Sequence, residues 1–563
     1  MVAKIPSRTA LSAARKVVAR VATHLAAKSS RDGRIENDLV DAHQQVAFDL
    51  AVSTAELSAA EEAIAFAERK AQAGEAALEE KLAEMFLAET LLAIRGRFAA
   101  RAEETGVTRE LIASTLDEAS VERFVADALA AKRADEIVVA LESRAPDRGL
   151  TDDQRAFADA FKQFADTKVT PHAEHIHRQD LLVPAEIVDG LKELGVFGLS
   201  IPQKFGGIQP DDKPDNMGMV VVTEELSRAS LAAAGSLITR PEILSKAILK
   251  GGTDEQKQKW LPKLASGEAM AGVMVTEPDY GSDVAGVKVM ATKTSEHGGG
   301  WLINGVKTWC TFAGFANTLM VLVRTDPDRK KGHKGLSLLI AEKPSFDGHE
   351  FACTQSGAQG AGKMEGKAIP TIGYRGMHSF EVSFENWFVP DANLIGGEKG
   401  LGQGFYLQME GFSGGRLQTA ARALGVMQAA FEAALRYARD RKIFGKAEIE
   451  FGLTKSKISR IAMAVHVCRQ ATYRAARLLD EGAGQMNASM VKLHACRVAE
   501  WVTREAMQIH GGMGYAEEFP VSRYFVDARV LSIFEGAEEV LALRVVARQL
   551  LESALKPDAA EVA

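Results

Sequence analysis

The sequence predicts an α+β fold, in which a helical unit, a central β-barrel or sandwich and a C-terminal four-helix bundle follow an extra all-helical extension. Three observations predict it. Apolar residues recur at helical spacing from near the start to about Gly267, with an Ala- and Glu-rich stretch up to residue 148. The period changes to that of strands between about 270 and 390, and long amphipathic patterns poor in proline return from 402 to 553. The 563 residues exceed what one core organises, so several packed units with room for a large ligand are expected.

Each unit has its own signals. In the extension, 1–148, Leu78, Leu82, Met85 and Phe86 repeat at helical spacing, and breaks fall near Ser29 to Gly33, Gly74, Gly106 and Ala145 to Gly149. Residues 4–28 are basic, contain no acid and lack the apolar core of a secretory signal. Two readings are open there, a transit-type peptide and a basic first helix of the mature chain. The second unit, 149–269, opens on Thr151 with Gln154 three residues on, a capping-box pattern, followed by Phe157, Phe161 and Phe164 on one face. The third, 270–395, contains the β-rich runs GVMVTEP, WLING, TLMVLVRTD, GLSLLIAEK and FEVSFENWFVP, with Asn304-Gly305 read as a hairpin turn between WLI and VKTW. The fourth, 396–563, is helical, with a glycine-rich interruption at His510 to Gly514.

Composition narrows the function. Lys and Arg total 68 against 75 Asp and Glu, a net charge of −7. Nothing in that balance favours a nucleic acid partner, and an anionic substrate must be met by local cations. No apolar run approaches the roughly 18 residues that cross a bilayer, so no membrane partner is expected. Cys310, Cys353, Cys468 and Cys496 have no short paired spacing, which argues against a disulfide framework or a metal site and fits a cytoplasmic location.

Four segments carry chemistry. In TEPDYGSDVAG, Gly281 and Gly286 allow close approach to a planar ring while Thr276 and Ser282 supply hydroxyls; a polar turn is the other reading. Trp309 and Thr311 alternate with Cys310, so in a strand they share a face, either as a wall for an aromatic ligand or as a core tryptophan beside a satisfied threonine. Arg441 and Phe444, at i and i+3 near a helix end, pair a cation with an aromatic suited to an adenosine diphosphate; a solvated arginine and a buried phenylalanine are the alternative. Glu535 stands among Leu531, Ile533 and Phe534, the apolar setting of a carboxylate that takes a proton α to a thioester, or is a helix-capping acid.

In order and spacing, VTEPDYGSDV (275–284), NGVKTWCT (304–311), RKIFG (441–445), QIHGGMGY (508–515) and the FEG of 534–536 resemble the signatures of the acyl-CoA dehydrogenase family over about residues 150 to 552. The resemblance implies FAD as cofactor, a CoA thioester as substrate, electron-transferring flavoprotein as electron acceptor, and a homodimer or homotetramer. It implies Glu535 as catalytic base, while Gly415, at the position where some members carry the base instead, cannot serve. It assigns Thr276, Ser282, Trp309, Thr311, Arg441, Phe444, Gln508 and Gly512 to FAD, with Arg441 and Phe444 meeting the FAD of a neighbouring subunit. On the substrate side it implies Ser282, Arg416 and Gly536, with the Glu535 N–H polarising the thioester carbonyl. Ala537 and Glu539 depart from the threonine and glutamine that often contact FAD, and Gly452 stands where a glutamine is usual.

A dicarboxylic thioester needs a cation for its free carboxylate, and Arg240 is the leading anchor, with Tyr374, Arg375 and His378 as a second polar cluster. An arginine paired with Glu242 is the alternative for Arg240. The whole pattern points to dehydrogenation of a branched dicarboxylic acyl-CoA, or of another short or branched one. An acyl-CoA oxidase differs by rapid reaction of its reduced flavin with oxygen, and a catalytically silent binding member by the lack of bound flavin.

Overall fold

The computed structural model describes residues 5–74 and 76–556. The ends of the predicted extension and bundle, 1–4 and 557–563, lie outside the described residues. The chain divides into two compact units, Met1–Asp152 with Thr419–Ala563, and Asp153–Gln418.

The first unit begins with α1 (Ile5–Lys28), the hairpin β1 (Ser30–Arg31) and β2 (Arg34–Ile35), α2 (Asn37–Asp41), α3 (Gln44–Gln72) and α4 (Ala77–Phe98). Then come α5 (Ala102–Thr105), α6 (Arg109–Ala113), α7 (Ala119–Ala128) and α8 (Ala131–Ser143). Segment 5–28 is thus a packed helix, burying Leu11, Val17, Val21 and Leu25. Each break read from the sequence is a helix end: Gly74 and Gly106 have left-handed φ, and Gly106 caps α5. In α4, Leu78, Leu82, Met85 and Phe86 are all buried, as their spacing predicts. The same helix buries Glu79, whose carboxylate accepts from both terminal nitrogens of Arg144 at 2.7 Å and from the Asp147 N–H at 2.8 Å, so the chain leaving α8 is tied to α4. Gly149 (φ +73) is confined to glycine, because a Cβ there would lie 2.5 Å from the Phe66 ring.

The second unit supplies α9 (Asp152–Phe164), α10 (Thr170–Gln179), α11 (Ala185–Glu193), α12 (Asn216–Ala229), α13 (Thr239–Gly251) and α14 (Asp254–Ser266). α9 starts where the capping pattern places it, and Phe161 enters the core with Phe157 and Phe164 packed beside it. The eight-stranded sheet comprises β3 (Ala271–Met274), β4 (Met290–Thr294), β5 (Gly300–Thr311), β6 (Thr318–Arg324), β7 (Leu336–Glu342), β8 (Glu350–Thr354), β9 (Lys363–Ala368) and β10 (Ser379–Pro390). Its order is β3-β6-β4-β5-β10-β9-β8 with β7 on β6, and the β3–β6 pair is parallel. The five apolar runs of the sequence are β3, β5, β6, β7 and β10. Strands β4, β8 and β9 carry no apolar run in the sequence, since they are short, mix polar with apolar residues and bury one or two positions each.

Asn304-Gly305 is not a hairpin turn. It lies inside the continuous strand β5, which pairs with β10 on both sides of it. The register slips by one residue between Phe384 and Trp387, a bulge in β10 opposite Gly305 (φ +130). The Asn304 carboxamide spans that bulge, accepting from Asn386 N–H at 2.8 Å and donating to Asn386 Oδ1. The Asn-Gly pair bends a long strand instead of reversing it.

The chain returns to helix with α15 (Gly404–Asp440), then the short hairpin β11 (Lys442–Ile443) and β12 (Lys446–Ala447), α16 (Gly452–Asp480), α17 (Gln485–Ile509), α18 (Gly512–Tyr515), α19 (Val521–Leu531), α20 (Glu538–Val540) and α21 (Arg548–Ala554). Within the first unit α3 and α4 pack on α16 and α17. Phe66 meets His466 at 5.6 Å between ring centres and Phe86 meets His494 at 5.5 Å. Among the described residues no helix is long and apolar enough to cross a membrane.

Burial lowers both His466 and His494 from the ordinary 6.5 to about 4. The unfolded chain therefore takes up these two protons at a pH where the folded unit does not. Stability should fall as pH drops from 6.5 towards 4, by about 1.4 kcal/mol per pH unit for each histidine. Urea midpoints at pH 7 and pH 5 check this, and a His466→Leu/His494→Leu double variant should lose that part of the pH dependence.

Candidate functional site

The second unit builds one part of the candidate site around a buried ion pair. Strand β3 ends at Met274 and the chain continues through Val275, Thr276 and Glu277 alongside β5, where the Thr308 N–H donates to Thr276 O at 2.9 Å. Lys307, fully buried on β5, donates to Glu277 Oε1 at 2.8 Å and to Val275 O at 2.9 Å. The Glu277 carboxylate also accepts from the N–H groups of Lys288 and Val289 at 2.7 and 2.9 Å, closing the 277–289 loop on itself. Burial lowers the Lys307 pKa, with Glu277 opposing. These bonds hold Thr276 against Thr308, the residue before Trp309, and leave Ser282 exposed on the loop.

Trp309 and Thr311 do not sit on a plain alternating strand. The pairing of β5 with β10 slips by one residue between Lys307 and Cys310, and Trp309 takes a left-handed φ of +56 in the bulge. The indole is 54 % exposed whereas Thr311 is buried, its hydroxyl 3.0 Å from that of Ser379. Period-two reasoning fails because a bulge breaks the alternation it assumes. Cys310, between them, is no candidate nucleophile: burial pushes its thiol up to about 12, against the pull of Lys307 and Arg240.

Arg240 is buried in the first turn of α13, and Glu242 there pairs with Lys246. Tyr374 is buried with a left-handed φ of +59. Arg375 spends its nitrogens on the chain: Nη1 donates to His177 O at 3.0 Å, and Nε donates to Thr371 O at 3.0 Å and lies 3.4 Å from Asp180 Oδ1. Arg375 therefore holds the end of α10. His378 is buried against Asp180 and His349, and burial lowers its pKa while Asp180 opposes. Arg416 is half-buried on α15, close in sequence to the buried Gly415.

The first unit holds the predicted base. Glu535 follows α19 in a left-handed turn (φ +54) continued by Gly536 (φ +97). Its side chain is 5 % exposed, and Arg422, with no exposed side chain, lies 2.9 Å from Oε1 while Thr419 donates to Oε2 at 2.9 Å. Arg422 also donates to Thr419 and sits over the Phe534 ring at 4.8 Å. Buried Lys492 on α17 donates to Gly536 O at 2.6 Å, its pKa lowered by burial. One cation thus pairs with the carboxylate and a second holds the neighbouring carbonyl, in a setting the sequence suggests is merely apolar. Thr419, Arg422 and Lys492 were missed. Their one signal is charge placed in Ala-rich helical runs, with Thr419 and Arg422 at i and i+3 on a single face.

Arg441 and Phe444 are not on a helix. Helix α15 stops at Asp440 and the RKIFG segment forms the β11–β12 hairpin, with Phe444 at φ +48 and 94 % exposed. The β-turn conformation at Phe444-Gly445 replaces the i, i+3 relation. Gln508 at the far end of α17 and Gly512 at the start of α18 are exposed, and His510 between them is buried in a stack on Tyr437 at 4.2 Å. Tyr437 O accepts from Arg441 N–H, so these residues gather at one end of the unit. Gln508 lies sixteen residues beyond Lys492 on α17, roughly 24 Å along the helix at 1.5 Å per residue. The first unit therefore carries two separate groups, Glu535 with Gly536 and Arg441 with Gln508.

Three family models match the chain: the acyl-CoA dehydrogenase N-terminal domain over residues 151–268, the middle domain over 272–387 and the C-terminal domain over 402–551. The chain is 44% identical over 406 residues to (2S)-methylsuccinyl-CoA dehydrogenase of Cereibacter sphaeroides, covering 72% of this chain and 70% of that one. Among solved structures, butyryl-CoA dehydrogenase from Megasphaera elsdenii superposes with a TM-score of 0.65 at 31% identity, over 72% of this chain and all of that one. A chain from a structure of the electron transferring flavoprotein of Acidaminococcus fermentans matches with a TM-score of 0.63 at 29% identity, over 71% of this chain and 98% of that one.

Removing one partner of the buried pair strands the other charge. Lys307→Met should lower the stability of the second unit by about 3 to 5 kcal/mol, read as a lower urea midpoint. An unchanged midpoint would show that the pair does not hold the 277–289 loop.

Proposed function

Because the chain belongs to the acyl-CoA dehydrogenase family of oxidoreductases, we propose that it is an FAD-dependent dehydrogenase of a branched dicarboxylic acyl-CoA, converting (2S)-methylsuccinyl-CoA to mesaconyl-CoA and passing electrons to electron-transferring flavoprotein. The reading places it in the cytoplasm as a homodimer or homotetramer, with the extension, the helical unit, the β unit and the bundle as its four domains. The observation that carries it is Glu535, a buried carboxylate held by Thr419 and Arg422 within the family's C-terminal match. The substrate class rests on the 44% identity to the methylsuccinyl-CoA enzyme, and the electron acceptor on the flavoprotein structure among the neighbours.

The residues fit FAD. Trp309 and Phe444 offer exposed rings in left-handed turns, and Thr276, held against Thr308, brings a half-buried hydroxyl. Thr276, Ser282, Trp309 and Thr311 would hold the flavin side, and Arg441, Phe444, Gln508 and Gly512 the adenosine diphosphate side. The roughly 24 Å between the Lys492 and Gln508 positions on α17 supports the reading in which the latter group serves a neighbouring subunit's FAD. When bound, FAD supplies the acceptor for the β-hydrogen as hydride.

The chain's own residues do the rest. Glu535 removes the α-proton onto a carboxylate oxygen, and its backbone N–H donates to the thioester carbonyl as negative charge develops there. Arg422 keeps that buried charge compensated before the proton arrives, and Lys492 holds the Gly536 carbonyl beside it. The reading assigns the distal carboxylate to Arg240 and the other substrate contacts to Ser282, Tyr374, Arg375, Arg416 and Gly536.

Three outcomes are expected. An anaerobic absorbance titration should bleach the bound flavin with methylsuccinyl-CoA and far less with butyryl-, isovaleryl- or glutaryl-CoA; equal bleaching by butyryl-CoA removes the dicarboxylic reading. Glu535→Gln should slow bleaching roughly 10²- to 10⁴-fold with flavin still bound, and an unchanged rate would exclude it as the base. Arg240→Leu should raise KM for methylsuccinyl-CoA without raising it for butyryl-CoA, as the loss of a carboxylate anchor requires.

A further inference from the structure

Three segments far apart in sequence bring nitrogen and oxygen ligands to one point in the second unit. Asp180 follows the last turn of α10, His349 precedes β8, and His378 immediately precedes β10. His378 Nε2 lies 2.9 Å from His349 Nε2 and 3.0 Å from Asp180 Oδ1, and His349 Nε2 is 3.8 Å from Asp180 Oδ2. The two imidazoles meet edge to face, their ring centres 4.3 Å apart at 81°.

Protons alone do not give each of these contacts a linear hydrogen bond. A ring nitrogen carries at most one hydrogen, directed along one line in the ring plane. If His378 Nε2 is protonated and donates to Asp180, that hydrogen is not available to His349. If His349 donates to His378, a nitrogen lone pair faces the Asp180 carboxylate at 3.0 Å. If both Nε2 atoms are protonated, their hydrogens oppose each other across 2.9 Å. One cation among the three removes the conflict, since two unprotonated imidazole nitrogens and a carboxylate oxygen can each donate a lone pair to it. Ligands about 2.0 to 2.2 Å from a common ion stand roughly 3 to 3.5 Å from one another, close to the spacing found here.

We infer that Asp180, His349 and His378 form a binding site for a divalent transition-metal ion of the zinc type. Imidazole nitrogens select such ions over magnesium or calcium, which favour oxygen ligands. His378 is buried at the base of the site, whereas the side chains of Asp180 and His349 are 39 % and 49 % exposed, giving the ion a route from solvent and leaving positions for water. Arg375 anchors the Asp180 carboxylate from the chain that also carries His378. The ion clips the end of α10 to the chain entering β8 and the chain entering β10. No short-spaced ligand motif exists in the sequence, because the three ligands lie 169 and 29 residues apart.

The full-length flavin-loaded protein, stripped with a chelator and dialysed, is titrated calorimetrically with Zn²⁺ alone and, separately, Mg²⁺. The wild type should bind one Zn²⁺ per chain at micromolar concentration and no Mg²⁺, with a higher thermal midpoint when loaded. His349→Ala, at a half-exposed position, should lose that equivalent and the midpoint shift while keeping its bound flavin, and Asp180→Asn should weaken both. X-ray absorption of the loaded wild type should report two imidazole ligands. Equal Zn²⁺ binding by wild type and His349→Ala, or no saturable binding by the wild type, overturns the proposal.

Discussion

The second unit depends on a charge that cannot reach water. Lys307 is buried on β5 with Glu277 opposite it, and the carboxylate also takes two backbone N–H groups. Burying an ammonium costs several kcal/mol unless geometry and hydrogen bonds compensate it, so loop 277–289 has little freedom to move away. That constraint fixes Thr276 against Thr308, the residue before Trp309. Two motifs separated by about thirty residues, TEPD and NGVKTW, are thus one structural object joined by an acid and a base.

The first unit solves a related problem at Glu535. A buried carboxylate needs a partner, and the helical scaffold supplies it: Arg422 from α15 pairs with Glu535, while Lys492 from α17 holds the neighbouring Gly536 carbonyl. The extension contributes to the same scaffold, because α3 and α4 cover α16 and α17 and bury His466 and His494 in the contact. The bundle that presents the acid is therefore stabilised partly by helices outside the family's matched region, which begins at residue 151.

Backbone strain gathers at the same places. Among the described residues, non-glycine left-handed conformations include Asp180, Trp309, Tyr374, His378, Phe444 and Glu535. Such conformations persist only when their surroundings over-determine them, and they concentrate where side-chain direction matters more than local comfort.

Periodicity and punctuation determined most of the architecture. The apolar spacing of α4, the glycines at 74 and 106 and the β-branched runs of β3, β6 and β7 were legible because local burial and backbone freedom act over a few residues. The family signatures were legible too, being contiguous. Tertiary structure alone decided what local pattern does not encode. The charged strands β4, β8 and β9 exist because neighbours pair with them. Asn304-Gly305 bends a strand because β10 runs past it, and Trp309 turns outward because β5 bulges there. Arg422 meets Glu535, Lys492 meets Gly536, and Asp180 meets His349 and His378, only after the chain has brought together segments from 29 to 169 residues apart. Their interaction energies depend on distance in space, which no spacing along the sequence reports.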